Sequence, residues 1–282
     1  MPVLDAPPVP SRLRRLVVRS RPLVMGILNV TPDSFSDGGS FAGTAAAVEH
    51  GLRMAAEGAD LIDVGGESTR PGAEAVSVDT ELSRVIPVIA QLAGSLRIPI
   101  SIDTSKAEVA FQAIEAGASI INDVTALRGD PQTASVVARS GASVILMHMR
   151  GNPRTMQRAP RYQDVVEEVA GFLCDAAARA QQAGIARSRI LLDPGLGFGK
   201  TVGHNLELLH SLKRLVALDF PVVIGPSRKS FIGKTLGAEL EDRLSGTLAC
   251  VARAFHCRIQ VVRVHDVRPT VHLLKMLEAI ER

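Results

Sequence analysis

Apolar positions along the chain form eight short runs that alternate with longer segments of helical periodicity. Runs of about four to eight apolar residues beside turn formers are typical of buried strands, whereas apolar residues three or four positions apart predict a helix. The predicted strands are Leu23–Leu28, Leu61–Val64, Ile98–Ile102, Ser119–Ile121, Ser143–Met147, Ile190–Leu192, Pro221–Ile224 and Gln260–Val264. The predicted helices are Thr44–Ala59, Val78–Leu96, Lys106–Ala116, Asp130–Arg139, Tyr162–Ala183, His204–Ala217, Asp242–His256 and Thr270–Glu281.

This alternation predicts an α/β fold, and its eight strand–helix units predict a (β/α)8 TIM barrel. Each crossover is long enough for parallel pairing, and the alternative, a doubly wound open sheet, usually has fewer strands. We expect residues 21–282 to form this barrel as a single domain. Residues 1–20 are predicted to be an N-terminal extension, in which Leu13–Arg19 forms a short strand or hairpin across one end of the barrel.

Polar and small residues mark where the helices should begin. Thr44 is the predicted N-cap of the first helix, and Asp79 or Thr80 starts the run of helical apolar periodicity in the second. Gly225–Ser230 leads toward Phe231, and a helix beginning there would present free N–H groups that could hold an anion.

Composition narrows the classes of partner. Of the 282 residues 46% are apolar, but there is no Trp and one Tyr, so the core must be aliphatic and base stacking on nucleic acid is disfavoured. The net charge of +3 is too mild to indicate a general polyanion-binding surface. Three widely spaced cysteines without a C-x-x-C pair favour a reducing cytoplasm. We expect no membrane span and no secretory signal, since no apolar run approaches the roughly 18 residues of a span.

Polar residues stand at the carboxyl end of every predicted strand. Each alone could cap the next helix or pack in the core, but a barrel gathers all these ends on one face, so together they predict a composite site. The residues concerned are Asn29, Asp63, Thr69, Arg70, Asp103, Asn122, His148, Asp193, Ser227–Lys229 and Arg263–His265.

Part of this set suits a flat ring with hydrogen-bonding edges. The carboxylates and amide of Asp103, Asn122 and Asp193, with the ammonium of Lys229, form an array of donors and acceptors. Each buried group that the ligand failed to match would cost about 1–3 kcal/mol, so such an array is selective.

The remaining polar ends suit a phosphate ester. Arg70, Arg263 and His265 supply anion recognition, because guanidinium groups can contact phosphate through two hydrogen bonds. Asn29 is a neutral oxygen donor that fits Mg²⁺ when phosphate oxygens and waters complete the shell. The residues therefore predict a polar ring system that carries a phosphate ester.

Eight blocks of sequence resemble, in the same order, the signature blocks of the dihydropteroate synthase family. They run from Met25 to Val267, and the first two are long and specific. The blocks are MGILNVTPDSFSDGG, DVGGESTRPGA, SIDTSK, INDV, MHMRGNPRTMQ, LDPGLGFGKT, SRKSFIG and VRVHDV. The resemblance implies a pterin-binding barrel that condenses 6-hydroxymethyl-7,8-dihydropterin diphosphate with 4-aminobenzoate, giving 7,8-dihydropteroate and diphosphate.

The resemblance also implies roles for individual residues. The implied pterin-binding residues are Asp103, Asn122, Asp193 and Lys229, with Thr69 and Phe198 beside them. The implied diphosphate-binding residues are Asn29, Arg263 and His265, with Asn29 also a ligand of Mg²⁺. The implied aminobenzoate-binding residues are Phe35, Arg70, Pro71 and Ser230. The implied catalytic residues are Asp103, Asp193, Lys229, Arg263 and His265.

The family resemblance further implies a cytoplasmic homodimer that acts on small molecules. Asp37 would belong to a first mobile loop that closes over the site. Pro226 departs from the family pattern, in which this position is usually small or apolar, and because proline lacks an N–H the amide pattern of this loop would differ.

Three other functions remain open at this level. A pterin-binding methyltransferase, which passes a methyl group to a corrinoid protein, would also need Asp103, Asn122 and Asp193. A Schiff-base aldolase would use Lys229 as its nucleophile. A non-enzymatic pterin-binding protein would bind the ligand without releasing diphosphate. The long NVTPDSFSDGG and STRPG loops favour the synthase over these alternatives.

Overall fold

The computed structural model describes residues 21–31, 39–68, 72–152 and 154–281 of the chain. The predicted N-terminal extension, residues 1–20, lies outside this part and stays a prediction.

Eight strands pair in parallel in a single sheet. They are β1 (Leu23–Asn29), β2 (Leu61–Gly65), β3 (Ile100–Asp103), β4 (Ile120–Asp123), β5 (Ser143–Met147), β6 (Ile190–Asp193), β7 (Val223–Ile224) and β8 (Val261–Val264). The order is β6-β5-β4-β3-β2-β1-β8-β7, and a bridge between Leu192 and Val222 joins its two edges. The N–H of Leu192 donates to the carbonyl of Pro221 at 2.9 Å, so the sheet closes and the predicted (β/α)8 TIM barrel is confirmed.

Helices follow the strands and cover the outside of the barrel. In chain order they are α1 (Gly39–Ala56), α2 (Val78–Ser95), α3 (Ala107–Glu115), α4 (Thr133–Ser140), α5 (Val165–Gln182), α6 (Val202–His210), α7 (Leu212–Val216), α8 (Ser230–Leu236), α9 (Leu244–His256) and α10 (Val267–Ile280). No helix among the residues described has the length and apolar character needed to cross a bilayer.

The start of the first helix differs from the sequence prediction. α1 begins at Gly39 and already includes Thr44, so the prediction that Thr44 caps this helix is wrong. The second helix begins at Val78, as predicted, and its N-cap is Ser77, whose Oγ accepts a hydrogen bond from the N–H of Thr80 at 3.1 Å. Asp79 lies in the first turn, where its negative charge interacts favourably with the helix dipole.

One predicted helix is divided in two, and one short helix is present in addition to the eight predicted. The predicted helix His204–Ala217 is divided into α6 and α7 at Ser211. A short helix, α8, does begin at Ser230, as the sequence left open.

Side chains alternate between the outer and the inner face of each strand, so the apolar ones form two separate clusters. Outward residues such as Ile62, Ile121 and Leu192 pack against the helices in one large core. Inward residues near the amino ends of the strands form a second cluster that we call the barrel floor. The barrel floor consists of Leu23, Met25, Leu61, Ile120, Ile145, Leu191, Val223 and Val261.

Two residues beyond the barrel floor, the inward positions become polar on four strands. Leu61 is followed by Asp63, Ile120 by Asn122, Leu191 by Asp193 and Val261 by Arg263. Side chains two apart on a strand share a face, so all four polar side chains lie inside the barrel, directly above a closed apolar layer. Because the inward side chains change from apolar to polar along the strands, the site lies at the carboxyl end of the barrel.

Candidate active site

A cavity opens at the carboxyl end of the barrel. Six of the predicted site residues line it: Asp103, Asn122, Asp193, Phe198, Lys229 and Arg263. Its other lining residues are Val124, Met147, Gly195, Leu196 and Gly225. Polar side chains from β3, β4, β6 and β8 and from the loop after β7 therefore meet in one cavity, although more than 150 residues separate the first from the last.

An ion-pair network crosses the barrel beside this cavity. Nε of Arg263 donates to Oδ2 of Asp63 at 2.6 Å, and Nη2 donates to Oδ2 of Asp103 at 2.8 Å. The same Oδ2 of Asp63 accepts a hydrogen bond from Nδ2 of Asn122 at 3.0 Å. An ionised carboxylate only accepts hydrogen bonds, so Asp63 fixes the side-chain amide of Asn122 with its nitrogen toward Asp63. Oδ1 of Asn122 is then the atom available to a ligand.

The charges in this network depend on one another. Burial opposes the positive charge of Arg263, but Asp63 and Asp103 more than compensate and raise the pKa of the guanidinium. Burial raises the pKa of Asp103, the neighbouring Asp63 carboxylate adds to the shift, and Arg263 opposes it. Arg263 therefore makes the burial of two adjacent carboxylates possible.

Asp193 is the second buried carboxylate of the cavity. Its Oδ1 accepts a hydrogen bond from the N–H of Gly195 at 2.6 Å. Burial raises the pKa of Asp193 to about 6, although the hydrogen bond from Gly195 and the charges of Lys229 and Arg263 oppose the shift. At neutral pH Asp193 is thus an ionised acceptor in a poorly solvated position, which favours a ligand that supplies N–H donors.

Lys229 and Phe198, which both line the cavity, are in direct contact. The Nζ atom of Lys229 lies 4.1 Å from the centroid of the Phe198 ring, a cation–π distance. Gly197 allows this approach, because a Cβ there would lie 3.2 Å from Cδ of Lys229 and the residue has φ +83°. An aromatic wall and a cationic donor therefore stand side by side, as a flat polar ring requires.

His265 is held beside the cavity by Ser227. The backbone N–H of His265 donates to Oγ of Ser227 at 3.1 Å, and Oγ lies 3.0 Å from Nδ1 of the ring. Burial lowers the pKa of His265 to about 3, and the charge of Arg263 contributes. Since the Ser227 hydroxyl accepts the backbone N–H, we assign its proton to Nδ1, which leaves Nε2–H as a neutral donor.

Asn29 and Ser230 lie near the cavity without being part of its lining. Asn29 is the last residue of β1, and its side chain lies close to Gly65 and Asp103. A Cβ atom placed on Gly65 would be 3.9 Å from Oδ1 of Asn29 and 3.5 Å from Cβ of Asp103. Ser230 is the first residue of α8, directly after Lys229, and is exposed.

The other predicted site residues lie outside the described part of the chain. They are Phe35, Asp37, Thr69, Arg70 and Pro71. Their roles stay predictions.

His148 is not brought into the cavity, although it follows β5 as a polar strand end. Its Nδ1 lies 2.9 Å from Nζ of the buried Lys200. Burial, and then the charge of Lys200, lowers the pKa of His148 to about 2, so its imidazole is neutral. Burial lowers the pKa of Lys200 to about 7, while the carboxylate of Asp193 opposes that shift.

Behind the loop after β2, three residues form a further network that was not predicted from the sequence. Nζ of Lys106 forms ion pairs with Glu67, at the start of that loop, and with Oε2 of Glu81 at 2.5 Å. Glu81 is 1% exposed on α2, so the loop after β2 is tied to the helix layer through a nearly buried charge. The block SIDTSK contained Lys106, but nothing in the sequence alone pairs it with two glutamates.

Comparisons with known proteins agree with this geometry. A family model described as pterin binding enzyme matches residues 25–265. The dihydropteroate synthase of Escherichia coli K12 is 50% identical over 260 residues, 92% of each chain. The structure of Xanthomonas albilineans dihydropteroate synthase with 4-aminobenzoic acid matches with a TM-score of 0.88 and 51% identity over 93% of each chain. A structure of the same enzyme in complex with 7,8-dihydropteroate gives a TM-score of 0.84 and 48% identity, over 93% of this chain and 94% of that one.

Replacing Arg263 with methionine should destabilise the protein in a pH-dependent way. The variant leaves Asp63 and Asp103 buried without their cation, and breaking such a pair typically costs about 3–5 kcal/mol near neutral pH. The uncompensated carboxylates then have folded-state pKa values above their unfolded values, so the loss in stability should shrink as pH falls and they become neutral. Urea unfolding at about pH 7.5 and pH 5 measures this difference.

Arg214→Met is the matched control, because Arg214 pairs with Glu167 at 2.7 Å on the surface. We expect its unfolding midpoint to stay close to that of the wild type at both pH values. A pH-independent loss in Arg263→Met, or an equal loss in the control, would contradict the assignment of Arg263 as the cation that permits this burial.

Proposed function

Because the chain belongs to the family of pterin-binding enzymes, we propose that it catalyses the dihydropteroate synthase reaction. In this reaction 6-hydroxymethyl-7,8-dihydropterin diphosphate and 4-aminobenzoate give 7,8-dihydropteroate and diphosphate. The observation that carries the proposal is the single cavity in which Asp103, Asn122, Asp193, Lys229 and Arg263 meet. The complexes of the Xanthomonas albilineans enzyme with 4-aminobenzoic acid and with 7,8-dihydropteroate support one substrate and the product.

The hydrogen-bonding groups of the cavity match the edge of a pterin ring. The amino group and adjacent ring N–H of a pterin are donors, and the Asp193 carboxylate and Oδ1 of Asn122 are the acceptors that the network leaves toward a ligand. The ring carbonyl needs a donor, for which Lys229 stands beside the Phe198 wall. Phe198 lines the cavity beside Lys229, so it adds apolar contact with the ring to these hydrogen bonds.

Arg263 and His265 are proposed to bind the diphosphate. The Nη1 group of Arg263 takes no part in its bonds to Asp63 and Asp103, and His265 is the neutral N–H donor described above. Both therefore stabilise the negative charge that grows on the leaving group as the bond to the methylene carbon breaks.

Asn29 is the proposed protein ligand of Mg²⁺. Among residues 21–31, 39–68, 72–152 and 154–281, no group of three or more His, Cys, Asp or Glu side chains could form a complete cage for a metal ion. A single neutral oxygen fits Mg²⁺, which commonly keeps several waters and takes its other ligands from substrate phosphates. When bound there, the ion would neutralise part of the diphosphate charge.

Ser230 is proposed to contact the carboxylate of 4-aminobenzoate. It is exposed at the start of α8, directly after Lys229, so a ligand bound against it would extend from the pterin cavity toward the surface. Phe35, Arg70 and Pro71 are proposed to frame the same pocket, with Thr69 beside the pterin.

The reaction then needs positioning and charge stabilisation rather than a protein nucleophile. The C–O bond between the methylene and diphosphate breaks, and the electron-rich ring delocalises the positive charge that develops on carbon. The lone pair of the arylamine forms the C–N bond, and the resulting ammonium releases a proton to water. Holding the two substrates in line supplies most of the acceleration, and Lys229 acts as a donor and not as a Schiff base.

We further propose that the protein is a cytoplasmic homodimer. Cys174, Cys250 and Cys257 are free thiols, which supports a reducing compartment and can be checked by cell fractionation. Met276 and Ile280 lie four residues apart on α10 and are 61% and 67% exposed, which supports a contact between copies. Sedimentation velocity tests this point, and a monomer at micromolar concentration would contradict it.

The decisive test of function is diphosphate release measured with and without 4-aminobenzoate. We expect release from the pterin diphosphate that depends on 4-aminobenzoate and is matched by an equal amount of dihydropteroate. Asp193→Ala should abolish both products, because it removes the acceptor for the ring N–H groups. Pterin binding without diphosphate release would favour a binding protein, and a borohydride-trapped adduct on Lys229 would favour an aldolase.

Pterin affinity should fall on the acidic side of the pKa of Asp193. Burial raises this pKa to about 6, so below that pH the carboxyl is protonated and can no longer accept both ring N–H bonds. The dissociation constant should then rise about tenfold per pH unit, as linkage to one proton requires. Calorimetric titration from about pH 8 to pH 5 measures it, with Asp193→Asn as the control. Equal slopes in wild type and Asp193→Asn would contradict this assignment.

A further inference from the structure

Lys200 is a buried amine to which the proposed reaction assigns no role. It follows the loop after β6 and is 3% exposed. Its Nζ lies 2.9 Å from the carbonyl oxygen of Gly195, 3.0 Å from that of Phe198 and 2.9 Å from Nδ1 of His148. In its protonated form this amine carries three N–H donors, one for each of these three acceptors.

The two carbonyls belong to the turn that forms one wall of the cavity. At one end of this turn, the N–H of Gly195 donates to Oδ1 of Asp193 at 2.6 Å. At the other end, the ring of Phe198 faces Nζ of Lys229 at 4.1 Å. Lys200 therefore contacts both ends of the segment that presents the carboxylate and the aromatic wall.

Other bonds support the middle of the turn, and Lys200 adds a link between the carbonyls at its two ends. The N–H of Phe198 donates to the carbonyl of Gly195 at 3.1 Å, and the N–H of Gly197 donates to Oδ1 of Asn205 at 2.7 Å. Gly195, Gly197 and Gly199 all have left-handed backbone conformations, with φ of +64°, +83° and +64°. A Cβ on Gly195 would lie 2.0 Å from the carbonyl oxygen of His148, so no larger side chain fits there. A segment of three glycines is intrinsically flexible, and fixing it requires bonds to its backbone.

His148 completes the arrangement from the neighbouring strand. Its imidazole is neutral and 6% exposed, and it packs edge-on against Phe172 of α5 with ring centroids 4.9 Å apart. A neutral imidazole held in this way can accept a hydrogen bond through Nδ1. The ammonium is thus fixed to β5 on one side and to the turn on the other.

We propose that Lys200 is a positioning residue for pterin binding: its ammonium fixes the turn from Gly195 to Phe198 so that Asp193 and the Phe198 ring meet the ligand together. The proposal rests on the proposed function, since it names the pterin as the ligand of this wall. Lys200 touches neither substrate; it acts through the two carbonyls that it holds.

The chain offers a matched control at the opposite end of the same strand. Arg189 directly precedes β6, is 8% exposed and also donates to backbone carbonyls. Its Nη1 bonds the carbonyls of Val137 at 3.2 Å and Ala142 at 3.1 Å. Arg189→Met therefore removes a buried cation from backbone acceptors, as Lys200→Met does, but near the amino end of the barrel.

The experiment compares the two variants by calorimetric titration with the pterin diphosphate and by steady-state kinetics with both substrates. In Lys200→Met we expect the dissociation constant of the pterin to rise at least about tenfold, corresponding to about 1.4 kcal/mol. The KM for 4-aminobenzoate at saturating pterin should stay within about twofold, because the turn does not form that pocket. In Arg189→Met the thermal midpoint should fall while both constants stay unchanged.

Lys200→Gln keeps two N–H donors and should bind the pterin with an affinity between those of wild type and Lys200→Met. It also decides the question if Lys200→Met fails to fold. Wild-type pterin affinity in Lys200→Gln or Lys200→Met, or an equal loss in Arg189→Met, would overturn the role of Lys200. Absence of pterin binding by the wild-type protein would instead overturn the proposed function, and the role of Lys200 with it.

Discussion

The contact on which the site depends is the pairing of Arg263 with Asp63 and Asp103 inside the barrel. Side chains that point into the barrel are enclosed by the strands, and an isolated charge there would be strongly unfavourable. One guanidinium bonded at 2.6 Å and 2.8 Å to two carboxylates makes that arrangement possible. It also determines the direction of the Asn122 amide, because Asp63 accepts from its nitrogen. The hydrogen-bonding character of the cavity therefore follows from a pairing beneath it.

The barrel floor and the loops form the rest of the site around this network. Leu61, Ile120, Leu191 and Val261 close the interior just below the polar level, so water cannot enter from the amino end and the polar groups face one opening. The glycine-rich turn after β6 then supplies an aromatic wall and orients the Asp193 carboxylate. A flat polar ring is the ligand class for which both the walls and the edge are suited, and the family to which the chain belongs binds pterins.

Much of the fold could be predicted from the sequence because local periodicity sets it. Apolar runs of β1, β2 and β5 with polar ends gave the barrel, and parallel geometry then implied that Asp103 and Asp193 would meet. Helix starts were less predictable, as Thr44 shows, because a small polar residue is tolerated within a helix as well as at its N-cap.

The pairings within the site could not be predicted from the residues alone. Arg263 was expected to bind diphosphate, and its bond to Asp63, 200 residues away, depends on strand register and on the direction of each side chain. His148 looked like a site residue because it ends a strand, yet its ring is turned to Lys200. Lys200 lies in the glycine-rich block LDPGLGFGKT. Its role could not be predicted from that block, because it depends on the backbone conformation of the folded turn.

The most direct test of the central claim is a crystal structure of the protein with bound 7,8-dihydropteroate. We expect the pterin ring in the cavity of Asp103, Asn122 and Asp193, with its N–H edge on the Asp193 carboxylate and Arg263 still bonded to Asp63. The aminobenzoate portion should extend past Lys229 toward Ser230. A pterin bound elsewhere, or bound only after Arg263 leaves Asp63 and Asp103, would contradict the account.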